Sequence, residues 1–526
     1  MDRMSRPFTY GAIILGLLPS FRLINTALSN RFDVQLPDST FQFEYPGAMV
    51  SDKHFLPDPP ANYLPVENPT LSFWHENLHE LHDARSTPDL PPTSDVVIIG
   101  AGYAGIATAY HLKKGERRNN LSVTVLEARG ICSGATGRNG GHLRPDMYGH
   151  IPKYIERAGV KAGLEIAEFE VAHLEAIKKL IEKEKIDCDF TLTRTVDVWI
   201  NKTAAIKARE VYDLMSSRNL AYMDDVFFSR SEDAENISGI KGAQACATYT
   251  AGTLSPYKLI LRLAEILVEE KLVNIQTNTP VTSVTPDPRG GFIITTPRGT
   301  THANKVIYAN NAHVAGLLPE YQNAIVPCKG ICSHITVPAD TRAPLLTNSY
   351  IIREDDSTLA YLTPKIDGSI VVGGASSKFK PFPEEWYNNV DDSTLIEPGK
   401  DHFDTYMQRF FHGWENTGAR VDKIWSGVMG YSFDSNPHIG VLPKKDKPKS
   451  KRWWWPFGTT EKDDQFVLAG FNGHGMPVIW LAAKGVAKMV TEGVEFEKTG
   501  MPRLFKSTRE RIEKSLNNRD GGDIMA

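Results

Sequence analysis

Three glycines at positions 100, 102 and 105 are the first residues whose type and spacing could support chemistry. They follow Val96–Ile99, a β-branched run typical of a strand buried on both faces, and a helical pattern comes after them. In this setting Gly100 permits a tight turn, Gly102 lets a diphosphate approach the backbone, and Gly105 lets the helix pack closely on the strand. The free N–H groups of the helix start would bind the phosphates. The pattern predicts a dinucleotide-binding turn that also contains Tyr103 and Ala104.

An acidic residue ends the second predicted strand, Leu121–Leu126. Glu127 lies 22 residues after Gly105, where an acid accepts hydrogen bonds from the ribose hydroxyls of a dinucleotide. Its charge would repel a 2′-phosphate, which argues against NADP as the ligand. The alternative is a fold of this type that binds no ligand.

A second glycine-rich loop, Cys132–His142, follows the acid almost directly. Four of its eleven residues are glycine, so a large flat ligand could lie against its backbone. The hydroxyls of Ser133 and Thr136 and the charge of Arg138 suit a phosphate. The alternative is a bare solvent loop, but the position after the ribose acid favours a ligand.

These motifs resemble those of one enzyme superfamily. Asp95–Leu112, Glu127–Arg129 and the Gly-Ala-Thr-Gly-Arg-Asn-Gly-Gly-His run at 134–142 are similar to the FAD-dependent amine and amino-acid oxidases. That group holds D-amino-acid oxidase, glycine oxidase, sarcosine oxidase and dimethylglycine dehydrogenase. The Gly137–Gly141 core looks most like the gamma-glutamylputrescine oxidoreductase branch. Further matches follow in order at 251–259, 278–284, 306–312, 425–427, 434–440 and 470–476.

The resemblance implies that FAD is the cofactor and that the motif residues bind it. The predicted cofactor-binding residues are Gly100, Gly102, Tyr103, Ala104, Gly105, Glu127, Ala128, Arg129, Ser133, Ala135, Thr136, Arg138, Asn139, Gly140, Gly141, His142, Leu143, Val281, Asn310, Gly473, His474, Gly475 and Met476.

The C-terminal motif, Gly473–Met476, precedes a predicted helix that starts at Pro477. The start of a helix carries partial positive charge and free N–H donors. Near the flavin N1 and C2 carbonyl, these donors would stabilise the negative charge that develops on reduction. His474 could add a donor, and the alternative is a packed or surface histidine.

Three residues are candidates for a catalytic role: His474, Arg144 and Lys329. Arg144 follows the second loop and could face the flavin or the substrate, or form a surface salt bridge. Lys329 begins a predicted strand and could line the ring, although a solvated lysine is the usual case. No side-chain base is evident, and none is needed if the amine arrives neutral.

Two further expectations concern the charge at the substrate site and covalent attachment of the flavin. The resemblance places a substrate-binding lysine of the sarcosine oxidase branch where this chain has Met476-Pro477. This favours an amine, or a substrate whose carboxylate is distant from the reacting carbon, over a simple α-amino acid. No cysteine follows Cys332, so we expect no cysteinyl flavin. His142 is the alternative site of attachment.

Composition excludes several classes of protein. The chain has 526 residues, 41% of them hydrophobic and 23% charged, with a net charge of −4. These values exclude a disordered chain or a polytopic membrane protein and give no reason to expect nucleic acid as a partner. The five cysteines form no Cys-x-x-Cys pair, so we expect no metal and an intracellular, cytoplasmic location.

Two segments leave membrane contact open. Residues 8–28 are apolar but too short and broken for a confident spanning helix, so a signal, an anchor and a packed arm all stay as alternatives. Residues 444–457 place six basic residues before three tryptophans, a composition that suits a membrane interface or a hairpin loop packed on the protein.

The expected fold is α/β. A discontinuous FAD-binding Rossmann-like domain is predicted from 94–150, 245–322 and 420–500, and a substrate domain with a mixed or antiparallel sheet from 151–244 and 323–419. Residues 1–93 are an apolar segment and a Pro-rich arm, 443–465 an insertion, and 501–526 a tail.

The expected function is oxidation of a C–N bond of an amine or amino-acid-like molecule, with O2 or another electron acceptor. The alternatives are dehydrogenation of another small metabolite on the same fold, or a non-catalytic flavin-bound or membrane-associated scaffold.

Overall fold

The computed structural model describes residues 56–115, 119–218, 220–354, 358–444, 464–517 and 521–524. The apolar segment 8–28 and all but the first residue of the segment 444–457 lie outside these residues. All of these described residues belong to one compact unit.

The described residues contain seventeen strands and eleven α-helices. The strands are β1 (Thr93–Ile99), β2 (Val123–Leu126), β3 (His142–Leu143), β4 (Thr191–Trp199), β5 (Phe227–Phe228), β6 (Ala245–Thr253), β7 (Asn274–Gln276), β8 (Ser283–Pro286), β9 (Phe292–Thr296), β10 (Gly299–Tyr308), β11 (Ile325–Thr336), β12 (Ser349–Arg353), β13 (Leu359–Pro364), β14 (Ile370–Gly374), β15 (Arg420–Ser432), β16 (His438–Val441) and β17 (Gln465–Ala469). The helices are α1 (Tyr103–Lys114), α2 (Ile151–Ala158), α3 (Val160–Glu184), α4 (Lys202–Ser216), α5 (Ser231–Ser238), α6 (Pro256–Glu269), α7 (Ser376–Phe379), α8 (Pro383–Trp386), α9 (Tyr406–Phe410), α10 (Ile479–Glu492) and α11 (Arg509–Asn517).

The first sheet has the strand order β16-β17-β10-β1-β2-β7, and β8 and β9 branch from β10. Its centre is parallel: β1 pairs with β10 and β2, β10 pairs with β17, and β2 pairs with β7. Val96, Val97 and Ile98 are fully buried, as expected for a central parallel strand covered on both faces. The helix α1 covers one face and packs against α6 and α10.

The second sheet has the order β15-β11-β14-β13-β12-β4-β6-β3, with β5 beside β6. The pairing is antiparallel except between β4 and β12, which run parallel. The predicted α/β class with a second, mixed sheet is confirmed.

Strand membership differs from the predicted segments at three places. The strands β3, β6 and β15 fall in segments that the sequence assigns to the FAD-binding domain, and all three lie in the second sheet. The reason is long-range pairing, since β6 runs antiparallel to β4 and β15 to β11 over their whole lengths. The chain therefore passes between the two sheets within the segments that the sequence assigns to the FAD-binding domain.

Candidate functional site

A cavity of about 620 Å³ lies at the carboxyl ends of the parallel strands of the first sheet. Its lining includes Gly100, Glu127 and Asn310, which follow directly or closely after β1, β2 and β10. Ligands of open α/β sheets bind in this position because the strand order leaves a crevice there.

Most of the predicted cofactor-binding residues line this cavity. They are Gly100, Gly102, Tyr103, Ala104, Glu127, Ala128, Arg129, Ala135, Thr136, Asn139, Val281, Asn310, Gly473, Gly475 and Met476.

The first glycine turn brings the start of α1 to the cavity. Gly100 has φ +109°, and a Cβ there would lie 2.8 Å from the carbonyl oxygen of Ala309. Gly102 caps α1 without a side chain, so the first-turn N–H groups are accessible to a ligand. Gly105 is not in the lining: a Cβ would lie 1.8 Å from the Gly100 carbonyl oxygen. Because Gly105 has no side chain, α1 can pack closely on β1, as predicted.

The carboxylate of Glu127 is fixed by backbone donors. It accepts hydrogen bonds from the N–H of Ala101 at 2.7 Å and of Arg129 at 2.9 Å. Each carboxylate oxygen has capacity for a further bond. Glu127 is therefore oriented to accept from the hydroxyls of a ligand in the cavity.

The second loop divides into residues that line the cavity and residues that turn away. Arg138 belongs to the second group and does not line the cavity, in contrast to its predicted contact with phosphate. Its Nε donates to the carbonyl of Ser426 at 2.6 Å and lies 3.5 Å from Asp392 Oδ2. Burial lowers the pKa of Arg138 to about 10. The carboxylate of Asp392 beside it compensates the positive charge of the guanidinium. Ser133 also turns inward and donates to the Gly130 carbonyl at 2.7 Å.

The end of the loop enters the second sheet instead of the cavity lining. Gly140 packs against the ring of Tyr361, where a Cβ would lie 2.5 Å from a ring carbon. His142 and the fully buried Leu143 form β3. The Nε2 atom of His142 lies 2.8 Å from Ser349 Oγ. Burial, Arg144 and His474 hold its pKa well below the usual value, so His142 is neutral. Gly141, with φ +71°, packs against the Leu254 carbonyl and the Trp74 ring.

The C-terminal turn 473–476 places His474 against a buried acid. His474 Nε2 lies 2.8 Å from Glu170 Oε2, whose side chain is 5% exposed. Burial opposes protonation of His474, but the charge of Glu170 and this hydrogen bond outweigh it and raise the pKa of His474. The side chain of His474 is 36% accessible. His474 is not among the residues that line the cavity, although its neighbours Gly473 and Gly475 are.

Arg144 lies in a buried ion pair and does not line the cavity. Its Nη2 atom donates to Asp197 Oδ2 at 3.0 Å, and Tyr148 and Tyr249 donate to the same carboxylate at 3.1 Å and 3.3 Å. Arg353 Nη2 lies 3.9 Å from it. Burial disfavours the charge of Arg144, but Asp197 outweighs it and raises the pKa of Arg144. Of the two alternatives for Arg144, the structure shows a salt bridge, but the pair is buried and not at the surface.

Lys329 is neither solvated nor in the cavity lining. The residue is 3% exposed on β11, and its Nζ donates to Thr394 Oγ1 at 2.7 Å. Burial lowers the pKa of Lys329, which the nearby Asp391 partly offsets. The structure therefore gives no contact of Lys329 with the cavity.

Sequence reasoning missed several residues of the site. Glu170, Asp197 and Asp392 lie far along the chain from the groups they pair with, and no local pattern marks them. Val428 and Met429 line the cavity directly after the Trp425–Gly427 segment, so that segment could have indicated them. Residues 60–65 also line the cavity, and the Pro-rich composition of the arm carries no signal for this.

Within the described ranges, no group of three or more His, Cys, Asp or Glu side chains could hold a metal ion. All five cysteines are buried and unpaired. No helix in the described part of the chain has both the length and the apolar character required to cross a membrane.

Residues 95–489 match the DAO family, described as FAD dependent oxidoreductase. The chain is 22% identical over 410 residues to gamma-glutamylputrescine oxidoreductase of Escherichia coli (strain K12), covering 77% of this chain and 85% of that protein. It is 24% identical over 363 residues to glycine oxidase of Bacillus subtilis (strain 168), covering 67% and 85%.

The fold is similar to that of solved glycine oxidase from Bacillus cereus. The TM-score is 0.59 at 15% identity, over 78% of this chain and 98% of that chain. At this identity the likeness concerns the fold alone.

The residues present fit FAD. The lining joins the glycine turn of α1 and Glu127 at one end to the turn before α10 at the other. Asn310 Oδ1 and the Tyr63 hydroxyl oxygen are among the buried polar atoms of lining residues that have no hydrogen-bond partner within the described residues. Buried polar atoms are normally satisfied, and a bound dinucleotide offers partners for both.

Proposed function

Because the chain belongs to the DAO family of FAD-dependent oxidoreductases, we propose that it oxidises a C–N bond of an amine or an amino-acid-like small molecule. Held by the glycine turn of α1 and by Glu127, bound FAD would supply the acceptor for the hydride that leaves the carbon next to nitrogen. Water then hydrolyses the imine. The observation that carries the proposal is the glycine-lined cavity that connects the dinucleotide turn to the C-terminal turn 473–476.

The chain's own part in this reaction begins with binding and orientation. The start of α1 and the backbone at Gly100 and Gly102 would hold the diphosphate. Glu127 would accept from the ribose hydroxyls, since its orientation is fixed by two backbone N–H groups. Fixed groups of this kind lower the barrier because they are aligned before the reaction.

At the other end, the start of α10 would supply partial positive charge, and His474, which lies outside the cavity lining, would add the charge of its ring beside that turn. The raised pKa of His474 keeps its ring protonated to higher pH than a free histidine. A cation and helix N–H donors near the reacting ring stabilise negative charge that develops during reduction. No side-chain base is required, because the amine can react in its neutral form.

We infer that amines are preferred over simple α-amino acids. Val428, Met429, Phe471 and Met476 give the cavity an apolar end. Among the residues lining the cavity, Arg129 is the sole lysine or arginine, and it pairs with Asp392 at 3.0 Å. Arg144 pairs with Asp197, and Arg353 lies near the same carboxylate. An α-carboxylate would therefore lack the bidentate partner that usually binds it.

The test is anaerobic reduction of the bound flavin by matched pairs, each an α-amino acid and the amine formed by its decarboxylation. We expect the amine of each pair to reduce the flavin about ten times faster or more, since one charged hydrogen bond contributes about 1.5–3 kcal/mol. The rate is followed by the loss of the visible flavin absorbance.

The Arg144→Ala variant is the control for the carboxylate. If Arg144 acts only through Asp197, the variant changes the rates for both members of a pair by the same factor. Consistently faster amino acids in the wild type, with that advantage lost in Arg144→Ala, would show that Arg144 binds the carboxylate. Reduction by hydroxy compounds alone would favour dehydrogenation of another metabolite.

A further inference from the structure

The segment 60–82, which we name the strap, lies before the family match that begins at residue 95. Six consecutive residues of the strap, Pro60–Pro65, line the same cavity as the glycine turn and the stretch 309–313. The strap therefore covers a cofactor site whose other lining residues come from the family region.

Tyr63 is a half-buried residue of the strap and lines the cavity. Its hydroxyl oxygen is buried and has no hydrogen-bond partner within the described residues. Burial raises the pKa of Tyr63 to about 12, so the hydroxyl keeps its proton and remains a donor. An unsatisfied buried hydroxyl is costly, and its position in the lining makes a ligand the natural partner.

Tyr63 is also held in place by two neighbouring residues of the cavity wall. Its carbonyl oxygen lies 2.7 Å from His313 Nδ1. A Cβ on Gly316 would lie 2.6 Å from Tyr63 Cβ, so the close approach depends on that glycine. These contacts fix the strap backbone where it crosses the cavity.

A buried acid anchors the next part of the strap. Asp392 is 2% exposed, and its carbonyl accepts from the N–H of Thr70 at 2.7 Å. Arg129 donates to both carboxylate oxygens of Asp392 at 3.0 Å, and to the carbonyl of Val66 at 3.2 Å. Arg138 donates to Thr70 Oγ1 at 2.7 Å. Two arginines of the cofactor motifs thus bind the strap.

The rest of the strap binds the outer side of the second glycine loop. Ser72 Oγ donates to the carbonyl of Gly137 at 2.7 Å, and Trp74 Nε1 donates to the carbonyl of Asn139 at 2.7 Å. His75 Nε2 lies 3.1 Å from the Cys132 carbonyl oxygen. Because Gly134, Ala135, Thr136 and Asn139 line the cavity, the strap supports the loop from behind.

We propose that the strap is a part of the FAD site, that the Tyr63 hydroxyl donates a hydrogen bond to bound FAD, and that the strap must move before FAD leaves. The reason is geometric, since the strap forms the lining at Pro60–Pro65 and supports the loop that lines another side. The proposal concerns cofactor retention and does not depend on which substrate is oxidised.

The first test compares Tyr63→Phe with Tyr222→Phe. Tyr222 has a buried hydroxyl without a partner in the described residues but does not line the cavity, so it is a matched control. Apoprotein of each is titrated with FAD, and the release rate is measured by the recovery of flavin fluorescence. We expect Tyr63→Phe to weaken FAD binding about three- to tenfold, the range for one hydrogen bond. Binding by Tyr222→Phe should equal that of the wild type.

Hydrogen exchange on the wild type supplies the second test and requires no variant to fold. Backbone amides of 60–82 should exchange at least about tenfold more slowly with FAD than without it, because opening of the strap is linked to release of the ligand. Equal exchange with and without FAD would overturn the strap's role in retention. Unchanged FAD affinity in Tyr63→Phe would overturn the assigned hydrogen bond.

Discussion

At the scale of single residues, buried charges near the cavity are compensated by partners from other elements. Glu170 on α3 faces His474 at 2.8 Å and also accepts from the N–H of Asp146 at 2.7 Å. Asp146 adds a second negative charge near His474, and Arg144 a positive one. Removing one member of such a set leaves the others uncompensated.

We predict that the stabilising effect of Glu170 depends on pH. The raised folded-state pKa of His474 means that the pair stabilises the fold fully below the unfolded-state value of about 6.5. This stabilisation is lost as pH rises through the folded-state pKa. Glu170→Gln should therefore lower the free energy of unfolding most at low pH, by about 1 kcal/mol after allowance for screening at the accessible edge of His474.

Urea unfolding at pH 5.5 and pH 9 measures this difference. In the His474→Gln background the pH dependence of the Glu170→Gln effect should disappear, because the titrating partner is gone. An effect of Glu170→Gln that is equal at both pH values in the wild-type background would contradict the assignment.

At the scale of elements, the start of α1 performs two separate tasks through two glycines. Gly102 has φ −80°, which any residue adopts, and a Cβ there meets only Thr136 Oγ1, at 3.1 Å. A Cβ on Gly105 would lie only 1.8 Å from the carbonyl oxygen of Gly100. The first glycine leaves space for a ligand and the second leaves space for the strand.

Gly102→Val and Gly105→Ala should therefore fail in different ways. Gly102→Val should fold but retain less than about a tenth of the flavin, since its side chain occupies the approach to the helix N–H groups. Gly105→Ala should lose about 3 kcal/mol of stability, because a backbone carbonyl cannot move aside.

The measurements are the ratio of visible flavin absorbance to protein absorbance, and the thermal unfolding of the apoproteins. Full flavin content in Gly102→Val would contradict the proposed approach of the diphosphate. A wild-type protein that is colourless and binds NAD would also contradict the assignment of this cavity to FAD.

At the scale of the whole molecule, the cavity is assembled from both ends of the chain. The strap, the glycine turn, the β10 end and the C-terminal turn all contribute lining residues. All five cysteines are buried, and none of them lines the cavity. Burial raises the pKa of the Cys132 and Cys332 thiols, which disfavours the reactive thiolate.

The flavin should accordingly be held without a covalent bond. Acid precipitation of the holoenzyme should leave the yellow colour in the supernatant. Colour in the pellet would contradict this prediction and indicate His142, although its Nε2 lies 2.8 Å from Ser349 Oγ. The His142→Gln variant would then release the colour.

The sequence alone determined the parts of this protein that depend on local backbone requirements. The turn at Gly100–Gly105, the fully buried strand Val96–Ile98 and the acid at Glu127 form a short contiguous unit, and the structure places them as their spacing indicates. A tight turn, a helix start and a buried strand each require particular residue types within a few positions. For that reason the fold class and the dinucleotide site could be predicted.

Only the tertiary structure decided which partners the charged residues take and which sheet several strands join. Arg144 pairs with Asp197, 53 residues away, and Arg129 pairs with Asp392, 263 residues away. The strand β6 joins β4, and the Pro-rich arm covers the cavity. Ion pairing and strand pairing depend on distances in space between segments remote in sequence, and nothing in the local pattern of either partner records those distances.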